Sequence, residues 1–156
     1  MRDTFDFKSH VHRSQQAALE ALVFFNSCQE RYAACIAAAV ERFGAPEIAV
    51  DGERLRLRVP GLTDAQCLFA VERGSGRPVG VAVYIRADLE HITVVHLGIA
   101  AEYASGGRRC ADQLLLRLLR EVRRSTRRVK GVRRLELFYN KERAAANRWR
   151  EIKAPT

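Results

Sequence analysis

The sequence predicts an α/β domain of the α+β kind, with a central and mostly antiparallel sheet flanked by helices. Three observations carry this. Apolar residues recur at helical spacing up to residue 44. They then fall into short alternating or continuous apolar runs between 47 and 99. An amphipathic helical stretch follows, with one more apolar run at 132–140. At 156 residues and 47% apolar composition the chain has enough material for one core, so 1–156 reads as a single domain.

In chain order, Ser14 is placed to cap a helix carrying Ala17, Ala18, Leu22 and Phe25. Ser27 with Glu30 forms a capping-box pattern, which starts a second helix through Tyr32, Cys35, Ile36, Ala39 and Val40 and ends it at Gly44 and Pro46. From residue 47 the period becomes two. EIAV, a turn at Asp51-Gly52 and RLRLRV up to Pro60 predict a hairpin with Leu55, Leu57 and Val59 facing inward. CLFAVE (67–72), PVGVAVYI (78–85) and HITVVHLGI (91–99), joined by turns at GSGRP and at Asp88 to Glu90, predict an antiparallel meander. Next comes a helix from about 108 to 126. It has Ala111, Leu114, Leu115, Leu118, Leu119 and Val122 on one side and Arg117, Arg120, Arg124 and Arg127 largely on the other. VRRLELFYN (132–140) predicts a further strand, and Asn140 can cap a short helix in KERAAANRWREI.

The net charge of +9 is concentrated. Residues 108–134 hold eleven Arg or Lys against Asp112 and Glu121, and the rest of the chain is balanced. A surface of this kind attracts nucleic acid, a phosphorylated cofactor or an acidic partner, and a plain solvated helix face is the alternative. Cys28, Cys35, Cys67 and Cys110 lack CxxC spacing and paired histidines, so reduced buried thiols are expected and no metal. No apolar stretch is long enough to cross a bilayer, and the first residues lack the apolar block of a secretion signal, so no membrane association and a cytoplasmic location are expected.

The clearest functional feature is the passage from the strand at 91–99 through Gly106-Gly107 into the basic helix. Glycine lets the backbone turn with its N–H groups exposed, and a helix N-terminus adds unpaired amides and a positive dipole end, so the arrangement can hold a phosphate.

The order of elements resembles the GNAT superfamily of CoA-dependent N-acyltransferases. GRPVGVAVYI is similar to that family's third strand. LGIAAEYASGG resembles the end of its fourth strand and the pyrophosphate loop, and LELFYNKERA is similar to its fifth strand and following helix. The resemblance covers roughly residues 14–152. Its loop departs from the family's Q/R-x-x-G-x-G/A. Aligned on Tyr103, only Gly107 matches, with Ala104 in the first position and Arg109 where a small residue is usual. A register that places Ala111 last lengthens the loop by two residues. The two strands that usually complete the sheet and one wall of the acceptor site are also missing. A second copy in a homodimer, the hairpin at 47–59, or an open acceptor site are the alternatives.

The resemblance implies acetyl-CoA or another acyl-CoA as cosubstrate and a primary amine as acceptor. It places the cosubstrate at Leu97, Ile99, Ala101, Ser105, Gly106, Gly107, Arg108, Arg109 and Asn140, with polarising backbone N–H groups around Leu97 to Ala101. His96 is the candidate base because an unperturbed imidazole titrates near neutral pH, with Glu90 and His91 as remoter options acting through water. Tyr139 is the candidate general acid, since Trp149 and its neighbours stand where the family often has a tyrosine. Glu102 and Tyr103 are expected to shape the loop. The competing readings are a catalytically inactive GNAT-like binding or regulatory module and a nucleic-acid-binding protein using the basic helix.

Overall fold

The computed structural model describes residues 5–24, 40–86, 88, 90–103, 113–127, 131 and 134–137. The domain is mixed α+β. Its main sheet has five strands in the order β1-β5-β6-β7-β8, and β2, β4 and β3 form a second, three-stranded sheet in that order. The elements are β1 (Phe5–Lys8), β2 (Val11–His12), α1 (Gln16–Phe24), β3 (Glu47–Asp51), β4 (Arg54–Arg58), β5 (Gln66–Glu72), β6 (Pro78–Arg86), β7 (His91–Ile99), α2 (Leu114–Thr126) and β8 (Arg134–Leu137).

The meander β5-β6-β7 is antiparallel throughout, as its alternating and apolar runs predict. β8 pairs parallel to β7, from His91↔Arg134 to Val94↔Leu137, and a parallel pair requires a crossover, which contains α2. Each face of this sheet carries its own core. Leu19, Leu22 and Val23 of α1 pack with Phe69, Val81, Val83 and Val95, joined by Val11, Leu55 and Leu57 of the small sheet. Leu114, Leu118 and Val122 of α2 pack on the opposite face with Ala70, Val79, Ala82, Val94 and Ile99.

The expectations need several corrections. His12, not Ser14, caps the first helical segment. Its Nδ1 accepts the Ser14 N–H at 3.1 Å, and Ser14 lies inside a 3-10 turn at Arg13–Gln15. The buried stripe of α1 is Leu19, Leu22 and Val23, and Ala17 is exposed, because the helix meets the sheet one step further round. In the hairpin Asp51 pairs with Arg54, so the two-residue turn is Gly52-Glu53. Gly52 alone takes positive φ (60°), the sign pattern of a type II′ turn. Leu55, Leu57 and Val59 do face inward. The hairpin does not extend the main sheet, because β2 pairs with its β4 strand and closes a separate one.

β1 and β2 have no counterpart in the expected elements. Phe5, Asp6, Phe7 and Lys8 pair antiparallel with β5 and cover what would have been its open edge. The helix expected from about 108 begins at Leu114. Gln113 has φ 52°, a left-handed conformation that a continuing right-handed helix cannot contain. Leu114, Leu118, Val122 and Thr126, four apart, seat α2 on the sheet, which leaves Leu115 37% exposed rather than inward. The second helix is described only at its end, residues 40–43, where the Gly44 N–H donates to Val40 O at 2.7 Å and Gly44 takes φ 91°, as a glycine stop requires. Cys67 is a buried free thiol. Cys28, Cys35, Cys110 and the expected final helix lie outside the described residues. No helix among the described residues is long and apolar enough to cross a membrane.

Candidate functional site

The chemistry-bearing residues with described geometry gather on β7 and the turn that leaves it. The strand register breaks between Val83↔His96 and Tyr84↔Val94, so Val95 is an extra residue, a β-bulge. Its effect is to change which way the following side chains point. Directly opposed residues share a face, and Val83 and Val81 lie in the α1-side core, so their partners His96 and Gly98 face α1. Leu97 and Ile99, opposite Ala82 and Gly80, face α2. α1 comes close here: a Cβ built on Gly98 would lie 3.1 Å from Leu22 O. Glycine at 98 lets the helix backbone approach the strand beside His96.

His96 is 5% exposed, and its Nε2 has no hydrogen-bond partner among the described residues. Burial pushes its pKa down to about 4, so the imidazole is neutral at pH 7. Thr93, opposite Ile85 on the same face, has a second buried polar atom, Oγ1, without a partner among the described residues. A strand face with two such atoms differs from an ordinary apolar core, in which buried polar groups are almost always paired.

The backbone of β7 has a defined polarity at this point. The Ala100 N–H donates to Val79 O at 2.8 Å, which fixes the antiparallel phase. The N–H groups of Gly98 and His96 therefore point to β6, and those of Leu97 and Ile99 point the other way, to the side where β8 lies. Leu97 is three residues beyond the last described β7–β8 pair, Val94↔Leu137.

Beyond Ile99 the chain makes a 3-10 turn, Ala101–Tyr103, held by a charged cluster. Arg77 Nε donates to Glu72 Oε1 at 2.8 Å, a second Arg77 nitrogen donates to Glu102, and the Tyr103 hydroxyl donates to Glu72 Oε2 at 2.7 Å. The Arg77 guanidinium, with smaller help from Tyr103 and Ser75, holds the Glu72 carboxyl down at about 2. The Tyr103 and Phe5 rings meet in a T-shaped pair with centroids 5.3 Å apart, and Arg117 of α2 sits over the Phe5 ring, 4.9 Å from its centroid. Glu102 and Tyr103 thus anchor the end of the described segment, which precedes Gly106 and Gly107 in the chain, by way of a strand that the expected elements lacked. An alternating FDFK run was the available signal for β1, obscured by its position next to the chain start.

Replacing Arg77 with Gln leaves Glu72 and Glu102 facing each other without their shared cation. The expected cost is about 1–2 kcal/mol at pH 7, since solvent still screens part of the cluster. The sign of the pH dependence follows from a folded pKa below the ordinary 4.5. Glu72 stabilises the fold above that value and loses its contribution as pH falls toward 2, so wild type and variant should converge there in urea unfolding. A gap that persisted undiminished to low pH would contradict this account.

Glu90 is not near His96. It is exposed in the turn before β7, where its N–H donates to Asp88 Oδ1 at 2.8 Å, and six residues of strand at about 3.3 Å each put it about 20 Å away. His91 is held to Asp88 by its own ring, at 2.7 Å. Ala101 is exposed on the anchored turn and Ile99 is buried. Ser105, Gly106, Gly107, Arg108, Arg109, Tyr139 and Asn140 lie outside the described residues. No family model matches the chain, and neither a curated protein nor a solved structure does.

Proposed function

We propose that the chain is a GNAT-like acyltransferase that moves an acetyl or other acyl group from acyl-CoA to a primary amine. The observation that carries this is the break in β7. One bulge sets a neutral, buried imidazole at 96 on the α1 face and aims the next amide, Leu97 N–H, toward the β8 side. The antiparallel meander, the crossover through α2 and the parallel β8 support the same reading, because they follow the order of elements in that superfamily.

In this mechanism the amine nitrogen attacks the thioester carbonyl and the Leu97 N–H donates to the oxygen as it gains negative charge. The intermediate collapses, the C–S bond breaks, and the CoA thiolate leaves into solvent. His96 Nε2 takes the proton that the amine sheds. A base with a pKa near 4 accepts it only from a strong acid, which is the N-protonated amide formed as the C–S bond breaks, and burial at Nε2 calls for a water between them. The acyl-CoA would lie along β7 from Leu97 to Ala101, with its pyrophosphate at Ser105 to Arg109 and Asn140 alongside. Where the leaving sulfur is protonated as the C–S bond breaks, rather than released as the thiolate, Tyr139 is the donor that this reading offers.

Calorimetric titration with acetyl-CoA and with CoA tests the binding half, and thiol release across a panel of primary amines tests turnover. Binding of both ligands is expected, with His96→Gln lowering kcat about a hundredfold and leaving acetyl-CoA affinity intact. Absence of binding at about 1 mM ligand would sink the proposal. Binding without turnover would instead favour an inactive binding module.

The outward face of α2 supports a second reading, contact with nucleic acid. Arg120, Arg123, Arg124 and Arg127 are exposed there, and the ion pair described on that face is Arg124 to Glu121 at 3.6 Å. Phosphate contacts of this sort give affinity that falls steeply with salt. Arg120→Ala with Arg124→Ala should weaken binding to generic RNA or DNA and flatten its salt slope by about 2. Equal affinity and slope in the double variant would remove this reading.

A further inference from the structure

Away from β7, the corner between the two sheets forms a cleft of about 320 Å³, lined by Lys8, His10, Val11, His12, Glu53, Arg54, Val71 and Gly76. Its chemistry is divided. Val11 and Val71 are buried members of the α1-side core, at 3% and 4% exposed, and give it an apolar floor. The polar groups around that floor are mainly cationic. Lys8 ends β1, Arg54 opens β4 directly opposite His12 of β2, and Arg56 follows on the same face of β4. Lys8, Arg54 and Arg56 form no ion pair among the described residues, and the single acid, Glu53, is beside His12 at 3.6 Å. The positive field is felt locally: Arg54, Arg56 and Lys8 each add to burial in pushing the His10 pKa below its ordinary value.

Lys8 and Arg54 line the cleft without an ion pair among the described residues, with Arg56 further along the same face of β4, and an anion between them relieves their mutual repulsion. A bare ion would leave Val11 and Val71 uncovered, whereas an apolar body with one anionic head satisfies both halves of the cleft. We propose that this cleft binds a small organic anion, its anionic head between Lys8 and Arg54 and its apolar body on Val11 and Val71. The site lies apart from the one proposed for acyl transfer, and its test needs no acyl-CoA.

Benzoate, its neutral analogue benzamide and inorganic phosphate are the probes, followed through the imidazole proton resonances of His10 and His12 in NMR titrations of the full chain. Benzoate should shift both resonances saturably below about 10 mM, benzamide should not, and phosphate should bind at least about tenfold more weakly than benzoate. Lys8→Gln with Arg54→Gln should weaken benzoate about tenfold or more. Both side chains are exposed, so the fold should survive, with circular dichroism as the check. Arg54→Lys should restore part of the affinity lost in Arg54→Gln. No saturable shift, equal shifts with benzamide, phosphate binding as tight as benzoate, or unchanged affinity in the double variant would each overturn the proposal.

Discussion

Between pH 6.5 and pH 4 the protein is expected to lose about 3 kcal/mol of stability through His96 alone. The unfolded imidazole takes up a proton below its ordinary value of 6.5, whereas the folded one resists until about 4, because burial disfavours its cation. A group whose folded pKa is depressed in this way leaves stability intact above 6.5. It draws the protein toward the unfolded state as pH falls through the gap. The gap of about 2.5 units, at about 1.36 kcal/mol each, sets the size of the effect. Glu72 contributes at lower pH, between 4.5 and about 2, so the two windows barely overlap. His10 shifts in the same direction as His96 but lies near the surface, which makes His10→Gln the natural control.

Urea unfolding of wild type and His96→Gln at pH 7, 5.5 and 4 separates the effect from any change in packing. A packing loss offsets the two curves by a constant, while removal of the titrating group removes the slope. Parallel pH profiles for the two proteins would show that His96 is not the buried neutral group described above. The measurement also bears on function, because the same burial that creates the slope keeps the imidazole neutral at pH 7, as the proposed proton transfer requires.

How much of this was legible in the sequence differs from element to element. The meander was readable because Cys67–Glu72, Pro78–Ile85 and His91–Ile99 are apolar runs bounded by turn residues, and burial on both faces leaves few other structures for them. The β7 bulge was not readable. A period-two pattern is the same before and after an inserted residue when the whole run is apolar, so nothing in HITVVHLGI marks Val95 as unpaired. The orientation of His96 depends on that one residue, and the sequence could nominate the histidine without saying which face it occupies. The start of α2 was misread for a related reason. Amphipathic spacing continues back through Ala111, and only the left-handed backbone at Gln113 ends it. β1 was missed because four residues with two phenylalanines carry little periodic signal, although Phe5 joins Tyr103 to Arg117 in the fold. The cleft was invisible for a different reason: Lys8 and His10 lie more than forty residues from Arg54 along the chain, and they line one cleft only because β2 pairs with β4.

Leu118→Ala is expected to destabilise the protein by about 3 kcal/mol, and Gly80→Ala made in the same chain should restore part of that loss. Leu118 is fully buried on the α2 side of the sheet, so truncation forfeits its transfer free energy and leaves a cavity that the sheet beneath cannot collapse to fill. The floor of that cavity is Gly80. A Cβ built there lies 3.4 Å from Leu118 Cδ2, 3.4 Å from Ala70 Cβ and 3.3 Å from Ile99 Cδ1. In the wild-type background three neighbours must therefore give way together, and Gly80→Ala alone should cost about 1 kcal/mol through overpacking. Once Leu118 is Ala, one of the three constraints is gone and the new methyl occupies vacated space. The double variant should be more stable than the sum of the two single changes by about 1 kcal/mol or more, a coupling within the range for residues in direct contact. Chemical unfolding of all four proteins measures it. Strict additivity would mean that α2 does not rest on β6 at Gly80, and the placement of the helix on this face of the sheet would have to be abandoned. The coupling also reaches the proposed site, because Ile99, the third neighbour, ends the strand that carries His96 and Leu97. Loosening it should disturb the start of the anchored turn at Ala101–Tyr103 before it disturbs the far end of β7.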